Sequence, residues 1–247
     1  MGHWPTAMRA IKDADVVIFI LDARMPDLSR NRDLEQKLRN SKKEIFIVFN
    51  KIDLISKEAL NKLKAQHKGA FFTSEKTKDV NKLRMALQIK AKKLNLKLEV
   101  GIVGYPNVGK SAVTNALSRS AKTKVSSKAG TTTGAQWASS TNFKIIDSPG
   151  VIPFEDDEVK LGILGAKNPE KLKDPEAVAT KIIEIFTNSS PKKLEEFYNF
   201  KIEDYDSYEI LLRIGRTKGL LKKGNMVEEN RTSQMIIRDW QTGKLRI

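Results

Sequence analysis

Cysteine does not occur in this 247-residue chain. Disulfides, thiolate nucleophiles and thiolate metal centres are thereby excluded. Histidine is nearly as scarce: His3 and His67 are the whole supply, too few to build a metal centre alone. No apolar run approaches the uninterrupted length that spans a bilayer, and no basic n-region with an apolar h-region opens the chain. The expectation is a cytoplasmic protein without a membrane partner. Acid is in short supply too: 30 Asp and Glu face 45 Lys and Arg, for a net charge of +15. The excess is concentrated. Residues 56–97 hold twelve basic and three acidic side chains, and residues 211–247 hold nine and three. A solvated lysine face is the ordinary use of such runs. Two concentrated patches on so basic a chain point instead to a polyanionic partner, most simply RNA or DNA.

Hydrophobic residues make up 40% of the chain, enough for one α/β core and a small appendage. DVVIFIL (15–21), IFIVF (45–49), GAFFT (69–73) and LEVGIVG (98–104) read as strands, the longer ones buried on both faces. Helical patterns separate them at roughly 29–40, 56–66 and 78–94. Such alternation indicates βαβ units and a mainly parallel sheet. A helix is expected over 110–119, a loop over 123–134, and a hairpin from AQWASST and NFKIID joined at Thr141–Asn142. Residues 149–169 are rich in Gly, Pro and acid and read as mobile. From 174 onward short helices are expected, with Asp174-Pro175 and Ser190-Pro191 as starts, Asp206 as a cap and Gly215 as a stop.

GYPNVGKS (104–111) fits G-x-x-x-x-G-K-[ST] between a strand and a helix, the context the motif requires. Gly104 and Gly109 let the loop wrap an anion. The backbone of Asn107, Val108, Gly109, Lys110, Ser111 and Ala112 then lines the phosphates. Lys110 reaches the β- and γ-phosphates, and the Ser111 hydroxyl suits Mg²⁺. DSPG (147–150) puts Asp147 where it can hold Mg²⁺ through water, and Gly150 where its N–H can approach a γ-phosphate. NKID (50–53) suits guanine. The Asp53 carboxylate can accept from both N1–H and the exocyclic amine, which adenine lacks, while Asn50 and Lys51 brace the loop and stack along the base. Ser74-Glu75-Lys76, after another strand, can present an N–H to the guanine O6. A guanine preference argues against an ATPase.

These stretches resemble the G1, G3, G4 and G5 motifs of translation-factor-type GTPases. G2 would be Thr132 in AGTTT, with Thr131 and Thr133 as substitutes, and it would add a Mg²⁺ ligand. The order along the chain is G4, G5, G1, G2, G3, a cyclic rotation of the usual one. With LDARMPDLSRN (21–31) ahead of it, the chain resembles the circularly permuted GTPases of the YlqF/YawG family, which includes RbgA-like and nucleostemin-like factors. The likeness spans roughly 8–165, and more loosely 219–240. It implies a P-loop GTPase fold in permuted order over 1–168, with a mainly parallel sheet flanked by helices. It also implies a small all-α, RNA-binding C-terminal domain over 169–247. Implied too are GTP and GDP with Mg²⁺, and a monomeric switch acting on rRNA and the large ribosomal subunit precursor. Lys110, Thr132 and Gly150 would serve the hydrolytic step. Asn107 matches an asparagine that ligates K⁺ in related GTPases; simple loop geometry is the competing reading. Val151 stands where Ras-type enzymes carry a water-orienting Gln, so intrinsic hydrolysis should be slow. The alternative function is an rRNA-binding scaffold whose nucleotide site turns over little. Asp22 and Arg24 read as an internal ion pair, and His3 is assigned no role.

Overall fold

The computed structural model describes residues 4–74, 80–118, 136–139, 142–148, 150–152 and 157–247; for 136–139 and Asp147 only the backbone is described. Two compact units divide the chain, Met1–Phe154 and Glu155–Ile247.

The first unit runs α1 (Trp4–Asp13), β1 (Val16–Asp22), α2 (Arg32–Asn40), β2 (Glu44–Asn50), α3 (Lys57–Gln66), β3 (Phe71–Phe72), α4 (Val80–Leu94), β4 (Leu98–Gly104), α5 (Lys110–Ser118), β5 (Gln136–Ser139) and β6 (Phe143–Asp147). The strands form one sheet in the order β3-β2-β1-β4-β6-β5. All neighbours are parallel except β5 and β6, which pair as the expected antiparallel hairpin. The central strand β1 is buried at every position, as its unbroken apolar run requires. On one face, Trp4, Ala7 and Ile11 of α1 pack with Val17, Phe19 and Leu21 of β1 and Leu34 and Leu38 of α2. Asn31 caps α2 by accepting from the Leu34 N–H, and Ser56 caps α3 by accepting from Ala59 N–H.

Helix α1 has no counterpart in the sequence reading. Its inward positions are Trp4, Ala7, Ala10 and Ile11. Two alanines give too little apolar contrast for the period to stand out. The small side chains have a packing reason: a Cβ on Gly101 of β4 would lie 2.9 Å from the Ala10 carbonyl oxygen, so helix and strand touch backbone to backbone.

The second unit runs α6 (Glu158–Ile163), α7 (Pro175–Ser189), α8 (Pro191–Tyr198), α9 (Ser207–Thr217), β7 (Leu221–Lys222), β8 (Met226–Val227) and α10 (Glu229–Gln241). The structure differs from the sequence-based expectation at four points. The stretch read as mobile contains α6, capped by Asp157 on Lys160 N–H. This helix joins the second unit: Trp240 Nε1 donates to the Ile163 carbonyl at 2.8 Å, and Gln241 Nε2 donates to that of Gly162 at 2.8 Å. The compact units therefore divide at 154/155, whereas the reading put the boundary at 168/169. Gly215 does not end α9, which continues to Thr217. It lies inside the helix, where a Cβ would stand 2.4 Å from Val227 Cγ1, and Gly219, at φ +67°, follows the end. The two-residue β7–β8 pair was not anticipated in a region read as all helix. The Asp174 and Asp206 caps form as expected, the latter completed by Glu209 as a capping box, while Ser190 starts α8 without a side-chain cap bond.

The core of this unit is built from Val178, Ile182 and Phe186 of α7, Ile210 and Ile214 of α9, and Ile236, Ile237 and Trp240 of α10. Trp240 meets the Phe186 ring edge-on at 5.8 Å. Trp240→Ala should destabilise this unit by about 3–5 kcal/mol, because it removes a large buried ring and orphans the Ile163 carbonyl. Denaturant unfolding followed by circular dichroism measures it; a change under 1 kcal/mol would mean that the indole does not anchor this core.

Candidate functional site

Because β3, β2, β1, β4 and β6 are parallel, their C-terminal ends share one edge of the sheet. That edge is where open α/β sheets receive ligands. It collects Asp22, Asn50, Phe72, Gly104 and Asp147 as strand ends. The segment 105–109 leaves β4 and enters α5 at Lys110, and it turns through positive φ at Asn107 (+58°) and Gly109 (+100°). Alternation of this kind aims successive N–H groups into one concavity, at the N-terminal end of a helix.

One buried amide ties three of these loops together. Asn50, 3% exposed, donates from Nδ2 to the Val108 carbonyl at 2.9 Å. Its Oδ1 accepts from the Thr73 hydroxyl at 3.0 Å. Thr73 is bonded on both sides by backbone: its N–H donates to the Phe49 carbonyl at 2.8 Å, and its own carbonyl accepts from Ile52 N–H at 3.2 Å. The end of β2, the end of β3 and the loop after β4 are thus one hydrogen-bonded assembly. Gly109 shows how closely they approach, since a Cβ there would stand 2.0 Å from Asn50 Nδ2. The fourth loop closes from the other side. A Cβ on Gly150 would lie 2.5 Å from Pro106 N, and Val151 N–H donates to the Gly104 carbonyl at 3.1 Å. Ser148 Oγ donates to the Ile102 carbonyl at 2.6 Å, which pins the same loop to β4.

Within this frame, Lys110 is buried and its Nζ donates to the carbonyls of Tyr105 at 2.6 Å and Gly104 at 3.3 Å. Val108 is buried, Gly109 and Ala112 are half-buried, and Asn107 and Ser111 are exposed. Asp53 is half-buried on the single helical turn Ile52–Leu54, and Ser74 is buried just beyond β3. Lys51 has a partner that its motif does not announce. It adopts a left-handed backbone at φ +65°, and its Nζ turns to Asp22 Oδ2 at 2.8 Å. Asp22 and Arg24 form the expected internal ion pair, with Nη2 to Oδ2 at 2.8 Å. Burial opposes the charge on Asp22, yet the Arg24 guanidinium and the Lys51 ammonium hold its carboxyl down at about 2. Burial in turn lowers the Lys51 ammonium below its ordinary value, against the upward pull of Asp22.

Glu75, Lys76, Thr131, Thr132, Thr133 and His3 lie outside the described residues, and of Asp147 only its place at the end of β6 is described. The sequence reading missed Thr73, whose only signal was its position beside Ser74 at a strand end. It also missed Asn31, whose Nδ2 donates to the Val151 carbonyl at 3.4 Å.

The arrangement suits a phosphate chain: Gly109 and Gly150 let the loops close against Asn50 and Pro106, the turn through Asn107 and Gly109 leads into the N-terminal end of α5, and Lys110 supplies a cation beside it. Among the described residues no three His, Cys, Asp or Glu gather for a metal, and the Ser111 hydroxyl at the start of α5 is the one expected Mg²⁺ ligand whose side chain is described. Nor is any helix among them long and apolar enough to cross a membrane.

A model of the family described as "50S ribosome-binding GTPase" matches residues 99–211. An uncharacterized GTP-binding protein of Methanocaldococcus jannaschii is 39% identical over 96% of this chain and 64% of its own length. The GTPase grn1 of Schizosaccharomyces pombe is 30% identical over 96% of this chain and 59% of its own. The chain therefore spans less than two thirds of the curated relatives it matches. Among solved structures, GNP-bound YlqF from T. maritima superposes with a TM-score of 0.61 over 98% of this chain and 94% of that one, at 23% identity. At that identity the likeness concerns the fold. With residues 50–53 ahead of residues 104–111 on one parallel sheet, the chain shares the fold of the YlqF structure and is similar in sequence to these GTP-binding proteins.

Proposed function

We propose that this protein binds GTP and GDP with Mg²⁺, hydrolyses GTP slowly, and acts as a nucleotide-dependent switch in assembly of the large ribosomal subunit. The observation that carries this reading is the Asn50–Val108 hydrogen bond, which puts the base-reading turn against the phosphate loop. One guanine nucleotide is then the ligand that suits both. Backbone N–H groups of 107–112 take the phosphates, with Lys110 as the cation among them. Asp53 takes N1–H and the amine of guanine, with Ser74, Glu75 and Lys76 around O6. Ser111, Thr132 and Asp147 would hold Mg²⁺, which supplies charge neutralisation to the phosphates when bound. Gly150, against Pro106, can present its N–H to a γ-phosphate.

Slow turnover is argued from Val151. Its side chain is in the sheet's buried apolar cluster and its N–H is spent on Gly104, so neither can orient a water. K⁺ at Asn107 would offset the missing group; this residue is exposed at the loop tip with a left-handed backbone. The same Val151 observation favours the second reading, a scaffold whose nucleotide turns over little.

The partner proposed is rRNA within a large-subunit precursor, bound by a monomer. Support comes from the basic patches at 56–97 and 211–247 and from the likeness of residues 99–211 to the family of 50S ribosome-binding GTPases. A cytoplasmic place of action is part of the same proposal. In sequence, residue 150 leads within a few residues into the second unit. A loop that senses the γ-phosphate can therefore bias the unit proposed to touch RNA.

Asp53→Asn should weaken GDP binding roughly 100-fold or more, through two lost charge-assisted bonds, and improve xanthosine diphosphate. Calorimetric titration of both nucleotides checks this. Phosphate release should be slow in Na⁺, and faster in K⁺ or with large ribosomal subunits; no release in any condition would leave the scaffold reading. Co-sedimentation with large subunits should differ between a non-hydrolysable GTP analogue and GDP, and equal affinities would remove the switch.

A further inference from the structure

Asp22 and Arg24 have no place in the reading so far, and their surroundings are unusual for a surface turn. The side chains of Arg24 and Asp22 are 1% and 2% exposed. The carboxylate accepts four hydrogen bonds. Oδ1 takes the Arg24 backbone N–H at 3.0 Å and Arg24 Nε at 3.1 Å; Oδ2 takes Arg24 Nη2 at 2.8 Å and Lys51 Nζ at 2.8 Å. Arg24 thus grips both oxygens and stops the carboxylate from swivelling, and Lys51 occupies a remaining lone pair. The backbone repeats the link. Asp22 is in register with Asn50, and Ala23 N–H donates to the Asn50 carbonyl at 2.8 Å. Asp22 N–H in turn donates to Ser29 Oγ at 3.0 Å, so the carboxylate sits on a turn that is itself fixed.

A buried ion group of this kind does little for stability that apolar side chains would not do as well. Its distinctive effect is geometric. Lys51 has a long, flexible stem, and the side chain is 18% exposed at the very turn that carries Asp53. Pinning its ammonium removes rotamer freedom before any ligand arrives, which is how a supporting residue preorganises a binding site.

We propose that Asp22, backed by Arg24, is a positioning residue for guanine recognition: it holds Lys51 in place as a preformed wall of the base site and does not touch the nucleotide. This rests on the GTP-binding reading above. The test is a double-mutant cycle on a ribose-labelled fluorescent GDP, with wild type, Asp22→Asn, Lys51→Met and the pair. Lys51→Met keeps the stem and removes the ammonium. Each single change should weaken binding about tenfold, and the pair should be no more than about twofold worse than either, because both break one link. Asp22→Glu, which keeps the charge, should recover part of the loss. Thermal unfolding without nucleotide monitors folding. If Asp22→Asn fails to fold with Arg24 left unpaired, the cycle is run on Asp22→Asn with Arg24→Gln, which removes both charges. Losses that multiply in the pair, or no loss in the Asp22 variant, would overturn the proposal while leaving GDP binding intact. No GDP binding by wild type would overturn the nucleotide reading and this inference together.

Discussion

The amide of Asn50 is the constraint on which the site depends. A buried amide needs its donors and acceptor matched, or it costs more than it stabilises. Here the match is made across chain segments: Oδ1 to Thr73 and Nδ2 to Val108. The two ends of one side chain therefore set the distance between the base-reading turn, the strand end beyond it and the phosphate loop. Gly109 is glycine because Asn50 leaves no room for anything else. Such a network is unforgiving when incomplete and rigid when complete. Rigidity is what a nucleotide cradle needs, since its N–H groups must already point inward when an anion arrives.

The rotated motif order follows from sheet geometry without strain. A parallel sheet presents all strand ends on one edge, and that edge does not record which strand came first. Here β1 and β2, with the base loop, precede β4 and the phosphate loop, and α4 carries the chain between the two halves. Strand β1 sits between β2 and β4 and supplies Asp22, whose carboxylate reaches Lys51 on the neighbouring strand's turn. One consequence of the rotation is the fate of the loop after β6. In this chain it does not lead into another strand of the same sheet. It leads into a helical unit with its own core around Trp240.

Much of this could be read directly from residues. Apolar runs rich in β-branched residues at β1, β2 and β4 have few other physical uses, and the structure places them as adjacent parallel strands. Asp174 and Asp206 cap as their types suggest. The failures have equally plain causes. Helix α1 hides because alanines were chosen to let it touch β4, and close packing lowers the very contrast that reveals a helix. Gly215 looked like a stop. It is a contact, admitting Val227 into the side of α9.

The sequence by itself determined the chemistry available: a glycine-rich loop suited to phosphates, an NKID turn suited to guanine, a DSPG turn followed by Val151 in place of a glutamine, and two concentrations of basic residues. Motif spacing is local, and local residues carry it. The tertiary structure decided which groups meet. The motif suggests that Lys51 braces its loop and stacks along the base, and only the fold brings its ammonium to a carboxylate 29 positions earlier. Val108 and Asn50, 58 positions apart, share one hydrogen bond. Contacts of that range are fixed by strand register and by the need to satisfy buried polar atoms, and neither is written in any short stretch of chain.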